Sequence, residues 1–220
     1  MDEFIREVDE EYRRQRIAEI WKRYSALIVG LAFLLVAGVG GWRYWQHVEL
    51  QRSEAASARY DVAQRLAREG KPEEALKAFE GIAADAPGGY RVLARFRAAT
   101  EVGKQDAAAG AKTFDTIAED GAVDTFLRDL ARLRAAMLRM TGGEAQAPGP
   151  ELERLAAPTN AWRHTARELL GLAALKRGDA DAASRWFDQI ASDRDTPQGL
   201  RSRLEIYMAL AAGGAVQTTQ

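Results

Sequence analysis

The chain has 220 residues, 31 Lys+Arg against 32 Asp+Glu, and no cysteine. The missing cysteine excludes a disulfide framework and a thiolate metal site, and a net charge of −1 leaves no basic excess to suggest nucleic acid. Alanine, leucine, arginine and glutamate dominate and alternating β-branched runs are missing, so the expected fold class is all-α.

Residues 1–23 read as a cytoplasmic amphipathic segment. Phe4, Ile5, Val8 and Tyr12, then Ile17, Ile20, Trp21 and Tyr24, fall at helical spacing. Such a stripe suits either a solvated extension beside a membrane or docking on a partner or on headgroups. Residues 24–45 read as a transmembrane signal-anchor helix. Nineteen uncharged residues separate Arg23 from Arg43, inside a frame of Trp21, Tyr24, Trp42, Tyr44 and Trp45. As a helix, Trp21 to Trp42 covers roughly 31 Å, the thickness of a hydrocarbon core, with aromatic collars at headgroup level. A buried core helix rarely carries aromatics at both ends with only Phe33 between them. A cleaved secretory leader would begin short and basic, whereas Asp2, Glu3, Glu7, Asp9, Glu10, Glu11 and Glu19 precede this run, so an uncleaved anchor is expected.

Basic residues predict its orientation. Arg13, Arg14, Arg16, Lys22 and Arg23 lie on the N-terminal side, against Arg43 and Arg52 on the other. That bias keeps the N-terminus in the cytoplasm and places residues 46–212 across the membrane, which in a Gram-negative bacterium is the periplasm. Ala26/Gly30 and Ala37/Gly41 are small-xxx-small pairs, which suit contact with another transmembrane helix, although membrane helices also tolerate glycine without one.

Beyond the anchor, roughly 175 residues suffice for one domain with a sizeable core. Three of its segments repeat one another: KAFEGIAAD at 77–85, KTFDTIAED at 112–120 and RWFDQIASD at 185–193, which align Phe79, Phe114 and Phe187. A spacing of 35 residues, then 73, is the signature of tetratricopeptide-type helix hairpins. In the first repeat Ala75, Phe79 and Pro87 hold the small, aromatic and helix-stopping positions; in the last, Leu170-Gly171, Gly178, Ala183 and Phe187 do the equivalent. The middle repeat keeps Phe114 and Ile117 but has Gly110 at the small position. These residues form the expected repeat core.

Residues 126–140 predict a further helix, after which TGGEAQAPGP breaks the chain, leaving Leu152 and Leu155 to stand for a truncated second helix. The expectation is about three and a half hairpins. A terminal helix follows over 200–210, with 213–220 as a disordered tail. Residues 43–68 are expected to continue the membrane helix into the first hairpin, with Gly70-Lys71-Pro72 as its turn.

Nothing in the sequence asks for chemistry. His47 and His164 lack a second ligand at metal spacing and read as surface or packing residues. Acids such as Asp129 near Arg132 and Glu205 after Arg201 read as solvated helix-face pairs. Nucleophile-elbow, P-loop and dinucleotide motifs are missing, so no enzyme activity, catalytic residue, metal or cofactor is expected. Stacked hairpins instead offer a concave surface for a peptide or partner helix, and the repeat register puts Tyr60, Gln64, Arg95 and Glu168 there. The lysine- and asparagine-based clamp of cytosolic relatives is not expected, because lysines are few, Lys71, Lys77, Lys104 and Lys112 among them, and Asn160 is the sole asparagine.

The leader DEFIREVDEEYRRQRIAEIWKRY, the single anchor and the ending AWRHTARELLGLAALKRGDADAASRWFDQIASDRDTPQGLRSR together resemble the YfgM-like family of ancillary SecYEG translocon subunits, in a form like that of alphaproteobacteria. The resemblance implies a single transmembrane helix followed by a degenerate tetratricopeptide-like solenoid. It also implies association with the SecYEG channel and with the membrane-anchored periplasmic chaperone PpiD, and the passing of emerging polypeptides to periplasmic folding factors. A different class stays open: an accessory subunit that stabilises another inner-membrane complex, respiratory or envelope-building, through its anchor and hairpins.

Overall fold

The structure, a computed structural model, describes residues 2–141 and 149–214. The side chains of the stripe Phe4 to Tyr12, the centre of the TGGEAQAPGP break and residues 215–220 of the expected tail lie outside the described residues. The described elements are all helices: α1 (Asp2–Arg68), α2 (Pro72–Asp85), α3 (Gly88–Gln105), α4 (Ala107–Glu119), α5 (Thr125–Thr141), α6 (Pro150–Leu155), α7 (Arg163–Lys176), α8 (Ala180–Ala191) and α9 (Gln198–Gly214). Helix α9 therefore includes Gly213 and Gly214, the first two residues of the expected tail. Two compact units divide the chain, Met1–Glu54 and Ala55–Gln220.

In the first unit, α1 supplies the one helix, among the described residues, long and apolar enough to cross a membrane. Its most apolar eighteen residues have a mean hydropathy of 2.1 and none is buried. Leu27, Leu31, Leu34 and Val36 are all exposed, and Phe33 is 72% exposed. Such a continuous apolar surface is unfavourable in water and suits lipid. A Cβ added at Gly30, Gly38, Gly40 or Gly41 would meet nothing, so within this chain no packing requires those glycines.

In the second unit, residues 55–68 of α1 share a core cluster with α2 through Ala56, Ala63, Ala75 and Phe79, and α3 pairs with α4, α5 with α6 and α7 with α8; α9 follows. Local chemistry starts and stops these helices. Pro72 and the acidic Glu73 and Glu74 open α2, where a missing N–H costs nothing and negative charge meets the helix dipole. Asp106 caps α4 by accepting from the N–H groups of Ala108 and Ala109, and Asp179 caps α8 by accepting from Ala182. Gly70 and Gly178 turn the first and last hairpins with φ of 76°, a conformation that favours glycine.

Each repeated phenylalanine is buried against another aromatic ring. Phe79 meets Tyr60 at 5.5 Å, Phe114 meets Phe96 at 5.6 Å, and Phe187 meets Tyr207 at 5.4 Å. Small residues make room for them. Ala75 and Ala183 are fully buried. A Cβ on Gly171 would lie 2.3 Å from Phe187 Cε1, and one on Gly110 would lie 2.3 Å from Gly103 Cα. The glycine of the middle repeat thus marks a closer crossing than alanine permits, with α3 and α4 in backbone contact.

The third pair is the irregular one. Helix α6 has six residues, and its Leu152 and Leu155 join Leu133, Leu169 and Leu170 in one core cluster. Polar ties supplement that short helix. Asp129 accepts from Arg132 at 2.7 Å and from Asn160 Nδ2 at 3.0 Å, Trp162 Nε1 donates to the Phe126 carbonyl at 3.0 Å, and Lys176 Nζ to that of Met140 at 2.5 Å. Two sequence expectations are corrected here. Asp129 is buried rather than on a solvated face. Arg201 donates to the carbonyls of Arg194 and Thr196, at 2.8 and 3.1 Å, instead of pairing with Glu205. Helical charge spacing is the same on a solvated and a buried face, so spacing alone could not distinguish them.

A candidate binding groove on the first helices of each pair

Tyr60 and Gln64 stand one turn apart on α1, and the Tyr60 hydroxyl accepts from Arg97 Nε of α3 at 3.2 Å. Beside them a cavity of about 130 Å³ is walled by Gln64, Arg68, Arg97, Glu101 and Lys104, with Phe79 behind. A second, of about 200 Å³, is walled by Thr100, Lys104, Arg134, Met137 and Leu138, with Phe114 behind. Lys104 borders both, so the two cavities lie side by side along α3, and together they are the candidate groove. Helical spacing explains the walls: Arg97, Glu101 and Lys104 form a stripe on α3, and Arg134, Leu138 and Thr141 form one on α5.

Four cations and one carboxylate set the electrostatics. Glu101 is only 2% exposed, and both its oxygens accept from Lys104 Nζ, at 2.7 and 2.8 Å. A buried carboxylate requires such a partner. Arg68 donates to Gln64 Oε1 at 3.1 Å and Arg97 to Tyr60, both neutral acceptors. The groove surface is therefore positive.

The other two expected groove residues lie elsewhere. Arg95 pairs with Asp120 at 2.5 Å and borders a different cavity, among Glu80 of α2 and Thr113 and Thr116 of α4. The Ala122 N–H, then Arg95, hold the Asp120 carboxyl below its ordinary range. Glu168 accepts from Arg203 Nε and Nη2, at 3.0 and 3.1 Å, and from the Tyr207 hydroxyl at 3.0 Å, which ties α7 to α9. Burial, then Glu168, push the Tyr207 hydroxyl up. Sequence reasoning missed Arg97, Lys104 and Arg134. The signal was present in the period, because Arg97 and Arg134, Glu101 and Leu138, and Lys104 and Thr141 are each 37 residues apart.

The motif around Trp162 builds a structural node. Asp193, in the turn after α8, accepts from Arg163 Nε at 2.8 Å and Arg167 Nη1 at 3.2 Å, with His164 Nε2 3.0 Å away. Arg163 foremost, then the Asp195 N–H, hold the Asp193 carboxyl far below the usual carboxylate range. Arg167 is buried and also donates to the Ala156 carbonyl at 3.0 Å, so one guanidinium fastens the end of α6 to the turn after α8.

Residues 19–209 match the family described as a tetratricopeptide repeat-like domain. A protein of Escherichia coli (strain K12) named ancillary SecYEG translocon subunit is 30% identical over 177 residues, covering 77% of this chain and 81% of its own. The chain belongs to the YfgM-like family. Proteins of the same name from Aggregatibacter actinomycetemcomitans and Haemophilus influenzae are 26% and 25% identical, over 83% of this chain and 88% of theirs in both cases. No solved structure matches the chain. The stretch that this YfgM-like protein shares with the family contains both the groove and the Asp193 node.

Proposed function

We propose that this protein is a non-enzymatic, single-pass adaptor of the Gram-negative inner membrane that associates with the SecYEG translocon and links emerging polypeptides to periplasmic chaperones of the PpiD type. The observation that carries the reading is the combination, in one YfgM-like chain, of a helix whose most apolar stretch is wholly unburied and a repeat domain with an open groove. The relatives' shared name supports the translocon as the membrane partner. Excess Lys and Arg before the anchor supports a cytoplasmic N-terminus and a periplasmic domain over 46–212.

Photo-crosslinking in membranes tests the reading. A photoreactive residue at Leu31 is expected to capture a translocon subunit, and one at Arg134 a periplasmic chaperone or a secreted chain. Adducts to neither translocon nor chaperone would sink the proposal, and adducts to a respiratory or envelope-assembly complex would replace it with the accessory-subunit role. Because the chain has no cysteine, one introduced at exposed Gly121 gives a clean orientation readout. An impermeant maleimide should label it in intact spheroplasts; labelling only after permeabilisation would reverse the orientation.

A further inference from the structure

We infer that the groove on α1, α3 and α5 takes an extended segment of another polypeptide in which apolar side chains are flanked by Asp or Glu. The inference deepens the adaptor reading and rests on it for the idea that the groove meets a polypeptide at all. Its chemistry comes from the two cavities that meet at Lys104. The cavity between α3 and α5 is lined by Met137, 40% exposed, and by Leu138 over Phe114, an apolar slot whose thioether adapts to differently shaped side chains. The neighbouring cavity is polar and carries Arg68, Arg97 and Lys104, while Arg134 stands at the apolar slot's wall.

Charge then selects among polypeptides. The only carboxylate among the described residues lining these two cavities is Glu101, and Lys104 already engages it. A basic segment would bring its charges against Arg68, Arg97 and Arg134 without a free carboxylate to meet them. An acidic segment supplies the missing counter-charges, and Arg offers the paired donors that carboxylates accept. Unfolded chains in general satisfy only the apolar half of the groove, so the acidic class is preferred to them.

The test uses the full chain in detergent micelles and a fluorescein-labelled peptide with both ends blocked, Gly-Glu-Asp-Leu-Phe-Asp-Glu-Gly. Comparison peptides carry the matching amides, or lysines, at the acidic positions, or Ser-Ser in place of Leu-Phe. Fluorescence anisotropy is expected to show the acidic peptide binding about tenfold or more tighter than each comparison peptide. That preference over the amide and lysine peptides is expected to collapse at about 1 M salt, where the Debye length falls to about 3 Å. Arg68→Glu combined with Arg134→Glu should abolish the preference while the helical circular dichroism persists. If that pair unfolds, Arg134→Gln alone should weaken the acidic peptide several-fold. Equal or tighter binding of the lysine peptide, no binding of the acidic one, or a preference untouched by salt would overturn the inference. Anchor crosslinks to the translocon would persist through any of those failures, which separates them from failure of the adaptor reading.

Discussion

Phenylalanine serves opposite ends in the two units of this chain. Phe33 of the anchor is 72% exposed, whereas Phe79, Phe114 and Phe187 of the repeats are at most 2% exposed. Three of the four hairpins bury a repeated phenylalanine, and small residues, Ala75, Gly110, Gly171 and Ala183, let their helices close. The anchor is apolar all round and needs no neighbour from its own chain. One composition thus reads correctly only when the solvent of each segment is known.

Charging the anchor should break the comparison most sharply. Leu31→Arg with Leu35→Arg places two cations mid-helix, at about 2.5–3.5 kcal/mol each. Carbonate extraction should release the protein, with the repeat domain still helical; retention in the pellet would refute the anchor. Next, Phe187→Ala should cost the repeat domain about 3–5 kcal/mol in urea unfolding, while Phe33→Ala should leave that transition within about 0.5 kcal/mol. Equal effects would erase the distinction between the units.

Gly171→Ala is a smaller change, expected to cost about 1–3 kcal/mol through collision with the Phe187 ring. Adding Phe187→Leu should recover part of that loss, and strict additivity of the two would argue against the contact. The smallest effect is on acid stability. Because the Asp193 carboxyl is depressed when folded, its stabilising contribution is fully present above the ordinary value of about 3.9 and is lost as pH falls below it. Asp193→Asn should therefore flatten the acid limb of the thermal-melting profile and leave the anchor's behaviour unchanged.

Aromatic and glycine positions made most of the fold legible in sequence. Phe79, Phe114 and Phe187 set the period, and Gly70, Gly178 and Pro72 punctuate it, because each answers a steric need that few other residues meet. Charged positions were harder to read. The 37-residue spacing links Arg97 to Arg134 without saying which way they face, and helix rotation decides that both border the groove while Arg95 meets Asp120. Asp129 and Arg167 were equally opaque, since their burial follows from the shortness of α6, which leaves carbonyls and amides nearby for them to satisfy.

That short helix has a thermodynamic consequence. In a stack where each unit holds chiefly its neighbours, cooperativity passes through the interfaces, and a thin interface divides it. Leu152 and Leu155 join Leu133 of α5 to Leu169 and Leu170 of α7, and single polar bonds from Asn160, Trp162 and Lys176 add to that narrow bridge. Amide exchange should accordingly resolve two protected populations, one over α2–α5 and one over α7–α9. Two such populations would mean that a partner gripping one block stabilises the other only weakly, whereas a single uniformly protected domain would refute the division at residues 150–155.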